Sequence, residues 1–372
     1  MATKKETKIK KLKVGVIGCG SISGAYFSHA NHFDSMQIVA CADIMPAASK
    51  AKAKEHGIKA MTVKALLADK KIDIVLNLTL PQTHAEINLK ALKAGKHVYT
   101  EKPFGLNLIE AKEVLEVSNK TKLLVGCAPD TFLGAGHQTA RKLIDDGWMG
   151  DIISGTAFMM CPGHEAWHPN PGFYYLKGGG PVLDMGPYYV TALVNMLGPV
   201  ETVTAISSRS GERTATSEAR KGEKFPVEVD THVAGVLKFK SGAVITMVMS
   251  FDTIRGQHNP IELHGTKASM QVPDPNGFGG PVRYAKKGDK EFAPVPHSHI
   301  YKDNSRSIGL ADMACSVQDG TEHRASGKLA YHVLEVMLAL EESSKKKKHI
   351  DLKSTCSRPR ALPLNLMDGQ LT

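Results

Sequence analysis

The chain has 372 residues, of which 42% are hydrophobic, so it can bury one or two cores. At roughly 100 to 200 residues per domain, we expect two domains. Residues 1–13 hold six lysines against Glu6, which accounts for +5 of the net charge of +10, and the run at 345–348 accounts for +4. The folded body is therefore nearly neutral. Because short lysine runs are usually solvated tails or turns, the charge does not indicate a nucleic-acid partner.

Hydropathy and cysteine spacing exclude further classes. No stretch approaches the ~18 consecutive apolar residues of a membrane span, and the lysine-rich N-terminus lacks the apolar core of a signal peptide. The six cysteines form no C-x-x-C pair and show no spacing typical of a zinc site. These features predict a soluble, cytoplasmic protein with reduced thiols, no membrane partner and no bound metal.

The first third of the chain alternates apolar, strand-like runs with helical patterns. Strands are predicted at 12–17, 38–42, 72–78, 96–99 and 122–127, and helices after Gly24, after Pro46, and at about 82–94 and 106–120. Alternation of this length predicts an α/β fold with a doubly wound parallel sheet. We therefore place a Rossmann dinucleotide-binding domain at 12–128, preceded by a basic tail at 1–11.

A glycine turn, Gly18-Cys-Gly20-Ser21-Ile22, joins the first predicted strand to the first helix. Gly18 permits the tight turn, and Gly20 lets the backbone approach a pyrophosphate at the helix N-terminus, where free N–H groups attract anions. Asp43 follows the second strand, where a carboxylate accepts hydrogen bonds from the adenosine ribose. These residues predict an NAD site. NADP is less favoured, because an acidic side chain without a neighbouring arginine repels a 2′-phosphate.

From about residue 150 the pattern changes to longer strand-like runs joined by short turns. Strands are predicted at 152–160, 200–207, 229–239, 243–251, 261–264 and 269–272. They predict an α+β C-terminal domain over 129–372, built on a mostly antiparallel open sheet. The polar segment 208–226 is interpreted as an exposed loop, and the amphipathic stretch 326–343 as a helix that packs on the core.

Two motifs go beyond a generic Rossmann domain. They are Asn77-Leu-Thr79-Leu-Pro81-Gln-Thr-His84 and Gly95-Lys-His-Val-Tyr-Thr-Glu101-Lys102-Pro103. Together with the segments 142–150 and 178–188, their order and spacing resemble the Gfo/Idh/MocA family of sugar and polyol dehydrogenases. The resemblance implies that the second domain binds the substrate and also forms a homodimer or homotetramer.

By the same resemblance, the Glu-Lys-Pro motif places Lys102 beside the nicotinamide and the substrate, with Thr79, Pro81, His84 and Glu101 at the cofactor. A lysine at the carboxyl end of a strand can donate to a substrate hydroxyl or relay its proton. Glu101 is expected to orient groups or bind the cofactor ribose. The alternative from the residues alone is a surface lysine in front of a proline that begins a helix.

The resemblance also implies a catalytic Asp184, because the family's second-domain signature places an aspartate after the glycine run and a histidine four residues later. This sequence has Tyr188 in place of that histidine. A lysine cation nearby favours the ionised phenol, so Tyr188 beside Lys102 is one candidate for the base that removes the hydroxyl proton. The alternative interpretation, which the sequence supports equally, is that Tyr188 only stacks against a sugar or forms a hydrogen bond with it.

An aromatic and polar loop precedes the glycine run. It is interpreted as a sugar-binding wall in which Trp167 covers an apolar sugar face and His168 binds hydroxyls or acts as the base. The alternative is a proline-rich loop that its own aromatic residues pack. His164 is a weaker candidate, and a metal pair with His168 is disfavoured because Pro162 and Pro169 argue against a helix there.

Three functions follow from this reading. The leading hypothesis is reversible, NAD-dependent oxidation of a secondary hydroxyl on a small-molecule sugar, glycoside or cyclic polyol, with Lys102, Asp184 and Tyr188 handling the proton. The second is a glycosidase that keeps NAD bound and oxidises the sugar only transiently. The third is a non-catalytic NAD-binding regulator, since a fold does not dictate a function.

Overall fold

The first sheet of the computed structural model, which describes residues 10–372, contains six parallel strands in the order β3-β2-β1-β4-β5-β6. They are β1 (Leu12–Ile17), β2 (Met36–Ala42), β3 (Lys59–Met61), β4 (Ile74–Asn77), β5 (His97–Thr100) and β6 (Val125–Cys127). This is the strand order of a doubly wound dinucleotide-binding sheet, whose ligand crevice lies where β1 and β4 meet. Most of the basic tail predicted at 1–11 lies outside the described residues.

Five helices connect these strands and cover the sheet. They are α1 (Ser23–Ala30), α2 (Pro46–His56), α3 (Val63–Ala68), α4 (His84–Lys93) and α5 (Leu108–Thr121). All four residues of β4 are buried, as expected for a central parallel strand covered on both faces. The sequence-based prediction omitted β3 and α3. The reason is their length, because a three-residue edge strand with two exposed residues carries no readable hydrophobic pattern.

The second sheet contains nine strands in the order β16-β15-β14-β13-β7-β12-β11-β8-β17. The nine strands are β7 (Ile152–Met160), β8 (Val200–Ser208), β11 (His232–Phe239), β12 (Val244–Ser250), β13 (Ile261–Gly265), β14 (Ala268–Val272), β15 (Val282–Lys286), β16 (Ala293–Val295) and β17 (Ile350–Asp351). Two short strands, β9 (Arg213–Thr214) and β10 (Lys224–Phe225), form a separate pair. All neighbours in the larger sheet pair antiparallel except β7 and β12. The predicted mostly antiparallel sheet is confirmed.

Four helices accompany this sheet, namely α6 (Ala135–Asp145), α7 (Gly180–Leu197), α8 (Ile308–Asp319) and α9 (Gly327–Lys346). The predicted helix at 326–343 is confirmed as α9, and the Ser326 hydroxyl caps it by accepting from the Leu329 N–H. Helix α7 was not predicted because its segment begins with glycines and contains Pro187. Pro181 in its first turn is favourable, however, because that position needs no N–H donor.

The prediction of an exposed loop at 208–226 was wrong in part. Strands β9 and β10 pair antiparallel within it, and Ala215 and Phe225 are buried. Arg213 explains the order. Its guanidinium forms an ion pair with Glu165 at 2.8 Å, contacts Asp252, and lies 5.2 Å from the centre of the Tyr175 ring. A polar segment is therefore folded by charge pairing that its composition does not reveal.

The last part of the chain returns to the first sheet. The Cys127 N–H at the end of β6 donates to the Ala325 carbonyl at 3.0 Å, and Asp130 accepts from the N–H groups of Ser307 and Gly309. These contacts hold the segment around α8 and α9 against the carboxyl edge of the first sheet. Among residues 10–372, no helix has the length and apolar character needed to cross a membrane.

Candidate active site

The glycine turn after β1 forms a cradle for a phosphate group. Gly18 has φ +102°, and a Cβ atom there would lie 2.5 Å from the Leu78 carbonyl oxygen, so only glycine fits. At Gly20 a Cβ would meet nothing within 4 Å, which leaves open space in front of the backbone. The N-cap of α1, Ile22, offers no side-chain acceptor to the first-turn N–H groups. The turn therefore fits the pyrophosphate of a dinucleotide.

Asp43 is held beside this turn by two backbone donors. Its Oδ2 accepts from the Cys19 N–H at 2.7 Å and its Oδ1 from the Met45 N–H at 2.8 Å. Each carboxylate oxygen keeps a further lone pair, so the side chain can also accept from ribose hydroxyls. The predicted juxtaposition of Asp43 with the glycine turn is present in the structure.

The loops after β4 and β5 supply the next part of the cleft. Thr79, Pro81, Glu101 and Lys102 line it together with Ile22. Glu101 is buried, and its carboxylate accepts from the Tyr26 hydroxyl at 2.7 Å and from the Lys102 N–H at 2.9 Å. Glu101 therefore fixes the backbone in front of Lys102 and orients α1 relative to β5.

His84 does not reach the cleft. It is fully buried, with Nδ1 2.8 Å from the Pro103 carbonyl oxygen and Nε2 3.0 Å from the Thr79 carbonyl oxygen. Burial lowers the pKa of this imidazole, which favours the neutral ring. Because a neutral imidazole carries a single N–H group, it donates a hydrogen bond to only one of the two carbonyl oxygens at a time. Both ring nitrogens are engaged in tying the two loops together, so the structure gives no support to a direct cofactor contact by this ring, which stays a prediction.

Lys102 and Asp184 form a close ion pair at the centre of the cleft. The Lys102 Nζ donates to Asp184 Oδ1 at 2.8 Å and to the Asp184 carbonyl oxygen at 2.6 Å. Burial acts against the charged amine, but the Asp184 charge outweighs it and raises the pKa of Lys102 above its ordinary value. Burial likewise acts against the carboxylate, and Lys102 and His164 lower the pKa of Asp184 to about 2. Both side chains are thus charged at neutral pH.

Tyr188 lies one helical turn beyond Asp184 on α7, so both side chains face the cleft. The Lys102 Nζ is 5.2 Å from the centre of the Tyr188 ring. Burial raises the pKa of the phenol, and the lysine charge offsets only part of that effect. The expectation that Lys102 would leave Tyr188 readily ionised is corrected, and a neutral, hydrogen-bonding phenol is favoured.

The aromatic loop contributes one of its two predicted substrate residues. Trp167 is 62% exposed and lines the cleft, as does Tyr174. His168 does not line the cleft. It packs edge-on against Trp167, and its Nδ1 accepts from the Asn170 N–H at 3.0 Å. The contacts of this ring are with its own loop, so the cleft lining gives no support to a substrate contact by His168, which stays a prediction.

Two further residues line the cleft, of which the sequence analysis ranked His164 as a weaker candidate and did not name Arg306. The ring of His164 lines the cleft, and its Nε2 lies 3.4 Å from Asp184 Oδ2. Arg306 reaches the cleft from the segment before α8, more than 100 residues beyond Asp184. Aromatic residues close to His164 in the sequence gave a weak signal for it. Arg306 had none, because only tertiary packing brings its segment to the site.

The cleft has two parts that meet at the Lys102–Asp184 pair. One part, about 280 Å³, is lined by Ile22 at the end of the glycine turn and by the loops after β4 and β5. The other, about 680 Å³, faces β7 and the aromatic loop. Lys102, Tyr174, Asp184, Tyr188 and Arg306 line both. A dinucleotide held in the first part would therefore present its reactive end to a small molecule held in the second.

Comparison with known families decides the relationship. Residues 12–128 match the model of an oxidoreductase family with an NAD-binding Rossmann fold, and residues 137–271 match the GFO/IDH/MocA C-terminal domain. The chain belongs to the Gfo/Idh/MocA family. The family prediction is confirmed, and this Gfo/Idh/MocA protein is an oxidoreductase whose cofactor is NAD.

Relatives of this Gfo/Idh/MocA protein have defined activities. A 1,5-anhydro-D-fructose reductase of Ensifer adhaerens is 28% identical over 329 residues, covering 84% of this chain and 93% of the relative. A D-glucoside 3-dehydrogenase of Escherichia coli is 25% identical, covering 85% of each chain. An inositol 2-dehydrogenase of Rhizobium meliloti is 24% identical, covering 92% and 99%. These relatives give no support to the glycosidase or the regulator.

Solved structures share the fold. A levoglucosan dehydrogenase in complex with NADH and L-sorbose superposes with a TM-score of 0.79 at 22% identity, covering 93% of this chain and 100% of the other. An aldose-aldose oxidoreductase from Caulobacter crescentus, complexed with glycerol, gives a TM-score of 0.77 at 21% identity, covering 92% and 100%. The arrangement of the two sheets is therefore that of known dehydrogenases.

Proposed function

We propose that this protein reversibly oxidises a secondary hydroxyl of an uncharged sugar, glycoside or cyclic polyol. The observation that carries the proposal is the Lys102–Asp184 pair at the junction of the two parts of the cleft. The relatives named above act on sugar derivatives and inositol, which supports the same substrate class. Direct reaction with net turnover of the cofactor is the simplest use of this site.

The glycine turn, Asp43 and the first part of the cleft together fit NAD, which when bound would accept a hydride from the substrate carbon. Gly18, Gly20, Ser21 and Ile22 would hold the pyrophosphate, and Asp43 the adenosine ribose. The Asp43 carboxylate would repel the 2′-phosphate of NADP. Thr79, Pro81 and Glu101 would enclose the nicotinamide end beside Lys102.

Lys102 has the charge and position to bind the substrate oxygen at which the proton is lost or gained. As a cation it donates a hydrogen bond that stabilises the negative charge developing on this oxygen. Asp184 holds the amine in place through its Oδ1 and its backbone carbonyl oxygen. Tyr188 donates a second hydrogen bond, and Trp167 offers an apolar ring face to the sugar. His164 and Arg306 complete the polar lining.

We propose that the protein acts as a homodimer or homotetramer on a small-molecule substrate, without a nucleic-acid or membrane partner. The near-neutral net charge of the body of the chain supports an uncharged substrate and argues against a polyanion partner. The placement in the cytoplasm also stays a prediction.

The test is the spectroscopic appearance of NADH when the protein is mixed with NAD and a panel of aldoses, glycosides and inositols. We expect substrate-dependent NADH, and in Lys102→Ala a loss of kcat of about 10²- to 10⁴-fold with NAD binding retained. Lys93→Ala, an exposed lysine on α4, is the matched control and should behave as wild type. Released aglycone without NADH would instead support the glycosidase, and NAD binding without either product the regulator.

A further inference from the structure

His164 lies against the carboxylate that pairs with Lys102. It reaches Asp184 from a separate element, the loop after β7. Asp184 is thus shared between Lys102 at Oδ1 and His164 at Oδ2.

The His164 ring is held firmly in this position. Tyr174, Phe251 and Trp167 surround it, with ring centres 4.0, 4.6 and 5.2 Å from that of the imidazole. The side chain is 10% exposed. Its Nε2 is buried and makes no hydrogen bond to any of residues 10–372. At 3.4 Å the contact with Asp184 is longer than an ordinary N–H···O bond, so a small movement of the loop would complete it.

The loop itself is anchored one residue further on. The Glu165 carbonyl oxygen accepts from the N–H groups of Thr216 and Ser217, and its carboxylate pairs with Arg213. This is why the segment 208–226 is ordered. These contacts fix the residue that follows His164, whose own Nε2 lies 3.4 Å from Asp184 Oδ2.

We propose that His164 is the general base that takes the proton of the substrate hydroxyl. The inference rests on the proposed function and adds a residue to it. Asp184 accepts the Nε2–H of a neutral imidazole and thereby leaves Nδ1 as the proton acceptor, the logic by which a carboxylate orients a catalytic histidine. As the alcohol becomes a carbonyl, its hydroxyl proton passes to Nδ1 and Asp184 stabilises the resulting imidazolium. The NAD⁺ that the cleft would hold would supply the acceptor for the hydride.

The other side chains of the cluster are less suited to accept this proton. Lys102 is held protonated by Asp184, and burial raises the pKa of Tyr188. The charged or titratable groups that face His164 are Asp184 on α7, Lys102 after β5, and Tyr174 and His168 from its own loop.

The first test compares His164→Gln with wild type, using a substrate from the panel above. Glutamine can still donate to Asp184 but cannot accept the proton. We expect kcat for oxidation to fall by about 10²- to 10⁴-fold with KM nearly unchanged. The fall of kcat toward acidic pH, which is the acid limb of the pH profile, should disappear in His164→Gln. His349→Gln, at an exposed position after α9, is the control. A variant that keeps wild-type kcat and its acid limb would overturn the proposal.

The second test needs no substrate. Nitrogen-15 NMR of labelled histidine reports which ring nitrogen carries the proton, and the spectrum of His164→Gln identifies the resonance. We expect neutral His164 in wild type to carry its proton on Nε2, and Asp184→Asn to shift the population toward Nδ1–H. An Nδ1–H tautomer in wild type would refute the inference, because Nδ1 could then not accept a proton. This readout stands even if no panel sugar is oxidised, which would count against the proposed function alone.

Discussion

Gly18 and Gly20 lie two positions apart in the turn after β1, yet a methyl group would meet different surroundings at each. Gly18→Ala combines a positive φ with a 2.5 Å approach to the Leu78 carbonyl oxygen, so we expect a loss of at least about 1–3 kcal/mol in the free energy of unfolding. Gly20→Ala meets no atom within 4 Å and should leave stability near wild type.

The same pair separates folding from cofactor binding. Gly20→Ala projects its methyl group into the space that the pyrophosphate needs, so we expect NAD to bind about tenfold more weakly or worse, a change of about 1.4 kcal/mol. Urea unfolding and calorimetric titration with NAD measure the two quantities. Equal stability of Gly18→Ala and wild type, or unchanged NAD affinity of Gly20→Ala, would contradict the assignment of the turn.

Some residues of the site stand in sequence motifs and could be predicted, whereas others are brought to the site only by tertiary contacts. Lys102 and Asp184 stand in motifs whose spacing was readable, and the structure places them 2.8 Å apart. Tyr188 was found for the same reason, but its protonation was misjudged, because burial is a tertiary property that outweighs one nearby charge. His164 was undervalued because its partner, Asp184, is 20 residues away and on another element.

At the scale of elements, α9 and β8 are joined by a histidine that must stay neutral. His332 is fully buried, and its Nε2 accepts from the Val200 N–H at 3.0 Å, which a protonated ring cannot do. Burial lowers the pKa of His332 to about 4. The contribution of neutral His332 to the free energy of unfolding is complete above the unfolded-state pKa of about 6.5. It is lost as pH falls toward 4, and the loss amounts to up to about 3 kcal/mol.

We therefore expect His332→Gln, whose amide oxygen can still accept from Val200, to weaken the pH dependence of stability. The free energy of unfolding, from urea titrations at pH 7 and pH 4.5, should fall less in the variant than in wild type. His349→Gln serves as the exposed control and should follow wild type. An identical fall in all three proteins would mean that His332 takes no part in acid destabilisation.

Elements with strong local signals were predicted well, and elements defined by partners were not. Strand β7 coincides with its predicted bounds, and α9 differs by a few residues, because apolar alternation and amphipathic spacing are local properties. The pair β9 and β10 was taken for a loop since its order depends on Arg213 binding Glu165 and Asp252 elsewhere in the chain. Helix α7 was hidden by its glycines and by two prolines, of which Pro181 suits the first turn and Pro187 lies inside the helix.

At the scale of the whole molecule, the first sheet depends on the end of the chain. The Ala325 carbonyl oxygen accepts a hydrogen bond from the Cys127 N–H at the end of β6. A Cβ atom placed on Gly327 would lie only 3.0 Å from the Val125 carbonyl oxygen, so the two backbones pack closely there. Asp130 binds the residues that begin α8. The division at 128 and 129 remains a prediction, and the contacts across it are extensive.

We expect a fragment of residues 1–128 to fold less stably than the same residues in the full chain. It would expose apolar side chains of β6 and α5, each worth about 1.5–3 kcal/mol when buried. Urea unfolding followed by circular dichroism, together with binding of a hydrophobic dye, measures the effect against the full chain. A fragment that unfolds cooperatively at the full chain's midpoint, without binding dye, would show that the Rossmann domain is independent.

The sequence by itself determined the strand–helix alternation, the glycine turn with Asp43, the Glu-Lys-Pro lysine and the family. These rest on hydrophobic period, turn chemistry and spacing, which act between residues near one another in the chain. Only the tertiary structure decided that His84 and His168 lie outside the cleft, that burial raises the pKa of Tyr188, and that His164 and Arg306 line the site. Those outcomes depend on burial and on contacts between distant segments, because desolvation and pairing are set by what packs around a group.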